Sequence, residues 1–217
     1  MKVSSSKEKI LKKIREALSN PVPLPFSKSE GSNSVFQPQA EELEILFAEE
    51  FTKLSGKFVF CINEEDAKDQ ISNLIAFRKW KHVFCKEENL TQLLQEKAGL
   101  SLNSSSLADS DAAITSCDYL VARTGAIVMS SAQPGGRTVS AYALVHICIA
   151  YVDQLMYDTY EVLKTFKTRN TKGIPSFITF AAGPGRSTGI ENTEVIGTHG
   201  PKEVYLFLID RPFNTAE

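Results

Sequence analysis

Apolar positions at Ile10, Leu11, Ile14 and Leu18 recur with the spacing of one helical face, and Ser5 and Glu8 stand at capping-box distance just ahead of them. The pattern predicts an amphipathic N-terminal helix. Its other face carries Lys7, Lys9, Lys12, Lys13 and Arg15, either as a solvated surface or as a docking face for an acidic partner. From 19 to 38 the chain turns rich in Pro, Ser and Asn, the composition of a linker or an extended arm. A globular body is therefore expected from residue 39 to 217, with 1–38 forming the helix and arm. Leu43, Leu46, Phe47, Phe51 and Leu54 mark a second helix, which Gly56 ends before a strand at 57–62. Asn63 is placed to cap a third helix that buries Ala67, Ile71, Leu74 and Ile75. A strand at 82–85 and a helix around 90–96 follow. Strands alternating with helices argue for a parallel sheet covered by helices.

Beyond the serine-rich bend at 101–106 the pattern changes to strands at 112–116, 119–122, 126–130, 144–150, 176–182 and 204–209, with one helix at 153–165 between them. Asp118 and the turn sequence at 132–136 suggest hairpin-like connections. The expected fold is thus α/β, with a mixed, largely parallel sheet flanked by helices.

Composition narrows the function. The chain has 217 residues and a formal net charge of −2, so it has length for one full core and no general basic field for nucleic acid. Small molecules or proteins are the expected partners. The first residues lack the apolar core of a secretory signal, which points to the cytoplasm. The longest nearly apolar run, 141–152, falls short of the roughly 20 residues needed to cross a bilayer, so no membrane span is expected. Cys61, Cys85, Cys117 and Cys148 are far apart, without the paired spacing of a zinc or iron–sulfur site. Reduced core thiols are expected for Cys61, Cys85 and Cys148, which lie in apolar runs.

The densest chemistry follows the apolar run 177–182, where Gly183, Pro184, Gly185, Arg186, Ser187, Thr188 and Glu191 fall within nine positions. Glycines let backbone N–H groups approach a ligand, Arg186 offers a planar charged fork and the hydroxyls add donors, a set suited to a carboxylate or phosphate. A dinucleotide turn is excluded, because it needs a crossover helix of about 10 residues or more and Val195 and Ile196 arrive too soon. A tight turn closed by an Arg186–Glu191 pair is the structural alternative. Gly135, Gly136, Arg137 and Thr138 repeat the combination of glycine, arginine and hydroxyl. Thr124 and Gly125 interrupt a strand-like run, either as a bulge or to let a ligand come close. His199 lies in a turn with Gly200 and Pro201, either solvated or serving proton transfer. His146 lies within an apolar strand, either as a core histidine or as an acid–base group. His82, His146 and His199 share no metal-ligand spacing.

These segments, in order, resemble a known family. Asp111 to Thr115, Tyr119 to Val128 with Thr124 and Gly125, Gly136 and Arg137, Val145 to Ile147, Gly183 to Arg186, Ile190 and Glu191, and Gly197 to Lys202 together are similar to the LUD domain of the lactate utilization protein C (LutC/YkgG) family, over roughly residues 40–211. The resemblance implies a fold like the NagB/RpiA/CoA-transferase superfamily and a subunit role in oxidising L-lactate to pyruvate. It also implies iron–sulfur clusters on partner proteins and no cofactor on this chain. In that reading Arg137 and Arg186 clamp a small anion. Thr124, Gly125, Gly136, Gly183, Gly185, Ser187 and Thr188 orient it, and Glu191, His146 and His199 are the proton-transfer groups. A CoA-transferase-like or sugar-phosphate-isomerase-like enzyme using Glu191, and a non-catalytic assembly subunit, are the alternatives.

Overall fold

The computed structural model describes residues 5–19, 42–98, 102–103, 106–135, 138–169, 174–188, 194–197 and 199–212. The chain divides into two compact units, Met1–Gln39 and Ala40–Glu217. The first contains helix α1 (Ser5–Ser19), with Glu8 in its first turn, where a carboxylate complements the helix dipole.

In the second unit α2 (Leu43–Lys53) buries Phe47 and Phe51, whose rings stack with centroids 5.4 Å apart. Leu54 and Ser55 close the helix, Ser55 with a φ of 66°, and β1 (Lys57–Cys61) follows. Asn63 caps α3 (Glu64–Arg78) as its pattern predicts, its side chain accepting the Asp66 N–H at 2.9 Å. After β2 (Val83–Cys85), α4 (Glu88–Ala98), β3 (Leu102–Asn103) and β4 (Ala112–Thr115), the chain leaves this sheet and returns to it with β7 (Val145–Tyr151) and β12 (Glu203–Ile209). The resulting six-stranded sheet has the order β1-β12-β7-β4-β2-β3, and every pairing in it is parallel.

The excursion builds a second sheet from β5 (Tyr119–Val121), β6 (Ala126–Ser130), β8 (Leu155–Met156) and β9 (Ile178–Ala181), in the order β8-β5-β6-β9. Period-two alternation welds the layers. Ile147 and Ile149 of β7 and Phe207 and Ile209 of β12 face Ile71 and Ile75 of α3 and Leu94 of α4. Their neighbours Cys148, Ala150, Leu206 and Leu208 face the other way, onto Phe47, Phe51 and the inner residues Leu120, Ile127 and Met129 of the second sheet. The outer residues Val121 and Val128 pack against Val162 and Phe166 of α6 (Thr159–Arg169). The fold is α/β, with a parallel central sheet flanked by helices.

Three connections differ from the sequence pattern. The tight hairpin is β5–β6, turned by Gly125 at a φ of +57°, where the pattern left a bulge or a ligand approach. The turn at 132–136 does not return to a neighbouring strand; the chain instead passes through a short helix, α5 (Val139–Tyr142), into β7 of the other sheet. The helix expected at 153–165 begins only at Thr159, because Leu155 and Met156 pair with β5 as an edge strand and Asp158 caps the helix by accepting the Tyr160 N–H at 3.1 Å. All four cysteines are buried and free. Among the described residues, no helix is long and apolar enough to cross a membrane.

Candidate functional site

The loop that follows β9 is shaped by close approaches of backbone. Gly183 has a φ of +73°, and a Cβ there would stand 2.5 Å from the Leu54 carbonyl oxygen at the end of α2. A Cβ on Gly185 would overlap the His199 carbonyl oxygen. Gly185 is also held by hydrogen bonds, its N–H donating to Pro201 at 2.9 Å and its carbonyl accepting from Gly197 at 2.8 Å. Beyond it, β10 (Arg186–Thr188) and β11 (Glu194–Ile196) form an antiparallel hairpin that leads back through His199, Gly200 and Pro201 into β12. The two glycine turns thus lie one against the other.

Between them, α5 and the two sheets opens a cavity of about 420 Å³. Gly183 and Gly185 line it from the β9 loop, and His199 and Gly200 from the loop before β12. Tyr142 lines it from α5, Phe177 and Thr179 from β9 and the segment before it, and His146 and Val204 from its floor. His146 and Val204 are the second residues of β7 and β12, directly paired in register, so the cavity sits at the amino ends of these strands.

His146 is the buried polar group of this floor, only 1 % exposed. Its Nε2 lies 2.8 Å from Thr115 Oγ1, and Thr115 Oγ1 in turn lies 4.0 Å from Met129 Sδ. Among the described residues Nδ1 has no hydrogen-bond partner, and the ring it belongs to lines the cavity. Burial pushes the His146 pKa down from 6.5 to about 4, so the ring is neutral at pH 7. A neutral imidazole with one nitrogen fixed by a hydroxyl can donate or accept a proton at the other.

Of the residues that the sequence singled out, the structure brings His146, His199, Gly183 and Gly185 around one cavity. Arg186 is not part of its lining; its guanidinium donates to the Leu54 carbonyl at 2.9 Å and to Ser55 Oγ at 3.0 Å, tying β10 to the end of α2. Thr124 and Gly125 also lie outside the lining, and Gly125 is required where the turn meets α2, since a Cβ would stand 2.5 Å from the Phe51 nitrogen. Ser187 and Thr188 belong to the β10 strand. Gly136, Arg137 and Glu191 fall outside the described residues.

Sequence reasoning missed Thr115, Tyr142 and Phe177. Alternation along β4 and β7 gives Thr115 and His146 one side of their strands, but only the adjacency of β4 and β7 makes them partners. It also missed a polar cluster at the carboxyl ends of β2 and β4. There Glu87 accepts the Ser116 N–H at 2.9 Å and its hydroxyl at 2.6 Å, with Gln133 3.1 Å from that hydroxyl. Burial, and to a smaller degree the charge of Asp118, hold the Glu87 carboxyl above its ordinary value. These hydrogen bonds join the loop after β2 to the loop after β4. Among the described residues, no group of three His, Cys, Asp or Glu side chains could hold a metal ion.

The chain thus has a parallel α/β sheet backed by a second sheet, with a histidine-floored cavity between glycine turns, and concave sites of this kind are where many proteins hold small ligands. The LUD domain model matches residues 80–209, and the chain belongs to the LUD domain family. Lactate utilization protein C of Halalkalibacterium halodurans is 34 % identical over 104 residues, covering 46 % of this chain and 45 % of that protein. The protein of the same name from Oceanobacillus iheyensis is 27 % identical over 153 residues, covering 68 % of this chain and 60 % of its own length. The chain spans about half the length of the curated relatives it matches. A crystal structure of a DUF162 family protein from Deinococcus radiodurans superimposes with a TM-score of 0.57 at 18 % identity, over 85 % of this chain and 99 % of that one, which shows the shared fold.

Proposed function

We propose that this chain serves lactate utilisation and that its cavity holds a 2-hydroxy or 2-oxo acid against His146. The relatives named lactate utilization protein C support the pathway. The observation that carries the site is the buried, neutral His146 of the cavity lining, with Nε2 taken by Thr115 and Nδ1 without a partner among the described residues. Nδ1 either donates to the C2 oxygen of an oxo acid or accepts the proton of a C2 hydroxyl. The carboxylate is assigned to the N–H groups of Gly183 and Gly200, since that of Gly185 is taken by Pro201. Oxidation of a 2-hydroxy acid to a 2-oxo acid releases two electrons and two protons, one from the hydroxyl and one from C2; the electrons are assigned to iron–sulfur clusters on partner proteins, and both protons end in solvent. This chain's part is to hold the acid with its C2 oxygen against Nδ1.

Calorimetric titration of the full chain with L-lactate and with pyruvate tests this reading. At least one acid should bind, and His146→Gln should weaken it by roughly tenfold, the scale of one lost hydrogen bond at about 1.4 kcal/mol. Absence of binding at millimolar acid, or binding untouched by His146→Gln, contradicts the assignment.

A further inference from the structure

The dimensions of the cavity bear on which acid it takes. Ligand pockets of roughly 300–1,000 Å³ accommodate drug-sized molecules. A volume of about 420 Å³ is in that range, and a three-carbon acid fills only a minor part of it. The lining is also mixed in character: His146, His199 and the glycine turns supply polar groups, whereas Tyr142 and Phe177 add aromatic surface. Tyr142 and Phe177 are both exposed, 75 % and 41 %, although both line the cavity. Aromatic side chains left open at the mouth of a cavity are suited to stack on or enclose an apolar group that enters from solvent.

We propose that the cavity selects a 2-oxo or 2-hydroxy acid with a branched or aromatic side chain, its acid end at His146 and the glycine turns and its apolar end between Tyr142 and Phe177. The proposal rests on the reading of the cavity as an acid site and names the class of acid. It assigns Tyr142 and Phe177 to specificity, apart from the polar contacts that any acid of the series makes.

The test is a calorimetric series on the full chain with pyruvate, 2-oxobutyrate, 4-methyl-2-oxopentanoate and phenylpyruvate. Affinity should rise along the series, with phenylpyruvate at least roughly tenfold tighter than pyruvate, a gain that burying a few carbon atoms supplies. Tyr142→Ala and Phe177→Ala are changes at exposed positions. Each should weaken phenylpyruvate severalfold more than it weakens pyruvate. Equal or tighter binding of pyruvate in the wild type overturns the proposal while leaving the acid site intact, and so does an equal loss of both acids in the two variants. Failure of every acid to bind removes the acid site and this proposal together.

Discussion

Burial within β7 takes His146 from 6.5 to about 4, and that shift makes stability depend on pH in a defined window. Between those values the unfolded chain binds a proton at this position that the folded chain does not, so stability falls as pH drops from about 6.5 towards 4 and levels off below. The loss amounts to roughly 3 kcal/mol at the acid end. Urea unfolding at pH 7 and pH 4.5 should show a drop in wild type that is smaller in His146→Gln; equal drops contradict the assignment. Gly125 answers to sterics instead. Its φ of +57° and the contact a Cβ would make with the backbone of Phe51 predict that Gly125→Ala costs more than about 1 kcal/mol, read as a lower urea midpoint at unchanged slope. A neutral result would mean that the β5–β6 turn can move off α2.

Between elements, Arg186 shows how a residue type can be legible and its partner not. Glycine, arginine and hydroxyl in one loop read as an anion site, yet the Arg186 side chain meets Leu54 and Ser55, more than 130 positions away in sequence. Carbonyls at the end of a helix attract a cation for the reason that a bound anion would: partial charge left unpaired. Arg186→Ala should therefore lower stability by about 1 kcal/mol and leave acid binding within about twofold of wild type. Abolished binding with unchanged stability would return Arg186 to the ligand. Local signals did place much of the secondary structure. Asn63 caps α3 and the apolar spacing marks α2, because these depend on neighbours in the chain. The helix expected from residue 153 started late because Leu155 and Met156 are recruited by β5, a pairing with no local signature.

At the scale of the molecule, alternation predicted a mixed, largely parallel sheet, but not its division into a parallel sheet and a smaller one stacked on it. Both faces of β7 are buried and apolar apart from His146, so periodicity could not tell a strand buried under helices from one buried under a second sheet. Long-range pairing also fixes the behaviour in acid. Burial raises the Glu203 pKa, but hydrogen bonds from Lys57, Tyr205 and Arg78 outweigh it and hold the carboxyl at about 2. That contribution is present above the ordinary value of 4.5 and is lost as pH falls from there towards about 2, a window lower than that of His146. Glu203→Gln should flatten the acid limb of an unfolding profile below pH 4.5 and leave the limb above it; the reverse pattern contradicts the assignment. The central claim is that an acid sits against His146 Nδ1. Side-chain 15N NMR of the full chain during titration with pyruvate or phenylpyruvate reads that nitrogen directly. Saturable movement of the Nδ1 resonance is predicted; an Nδ1 signal unmoved while the acid demonstrably binds would place the ligand elsewhere and contradict the claim.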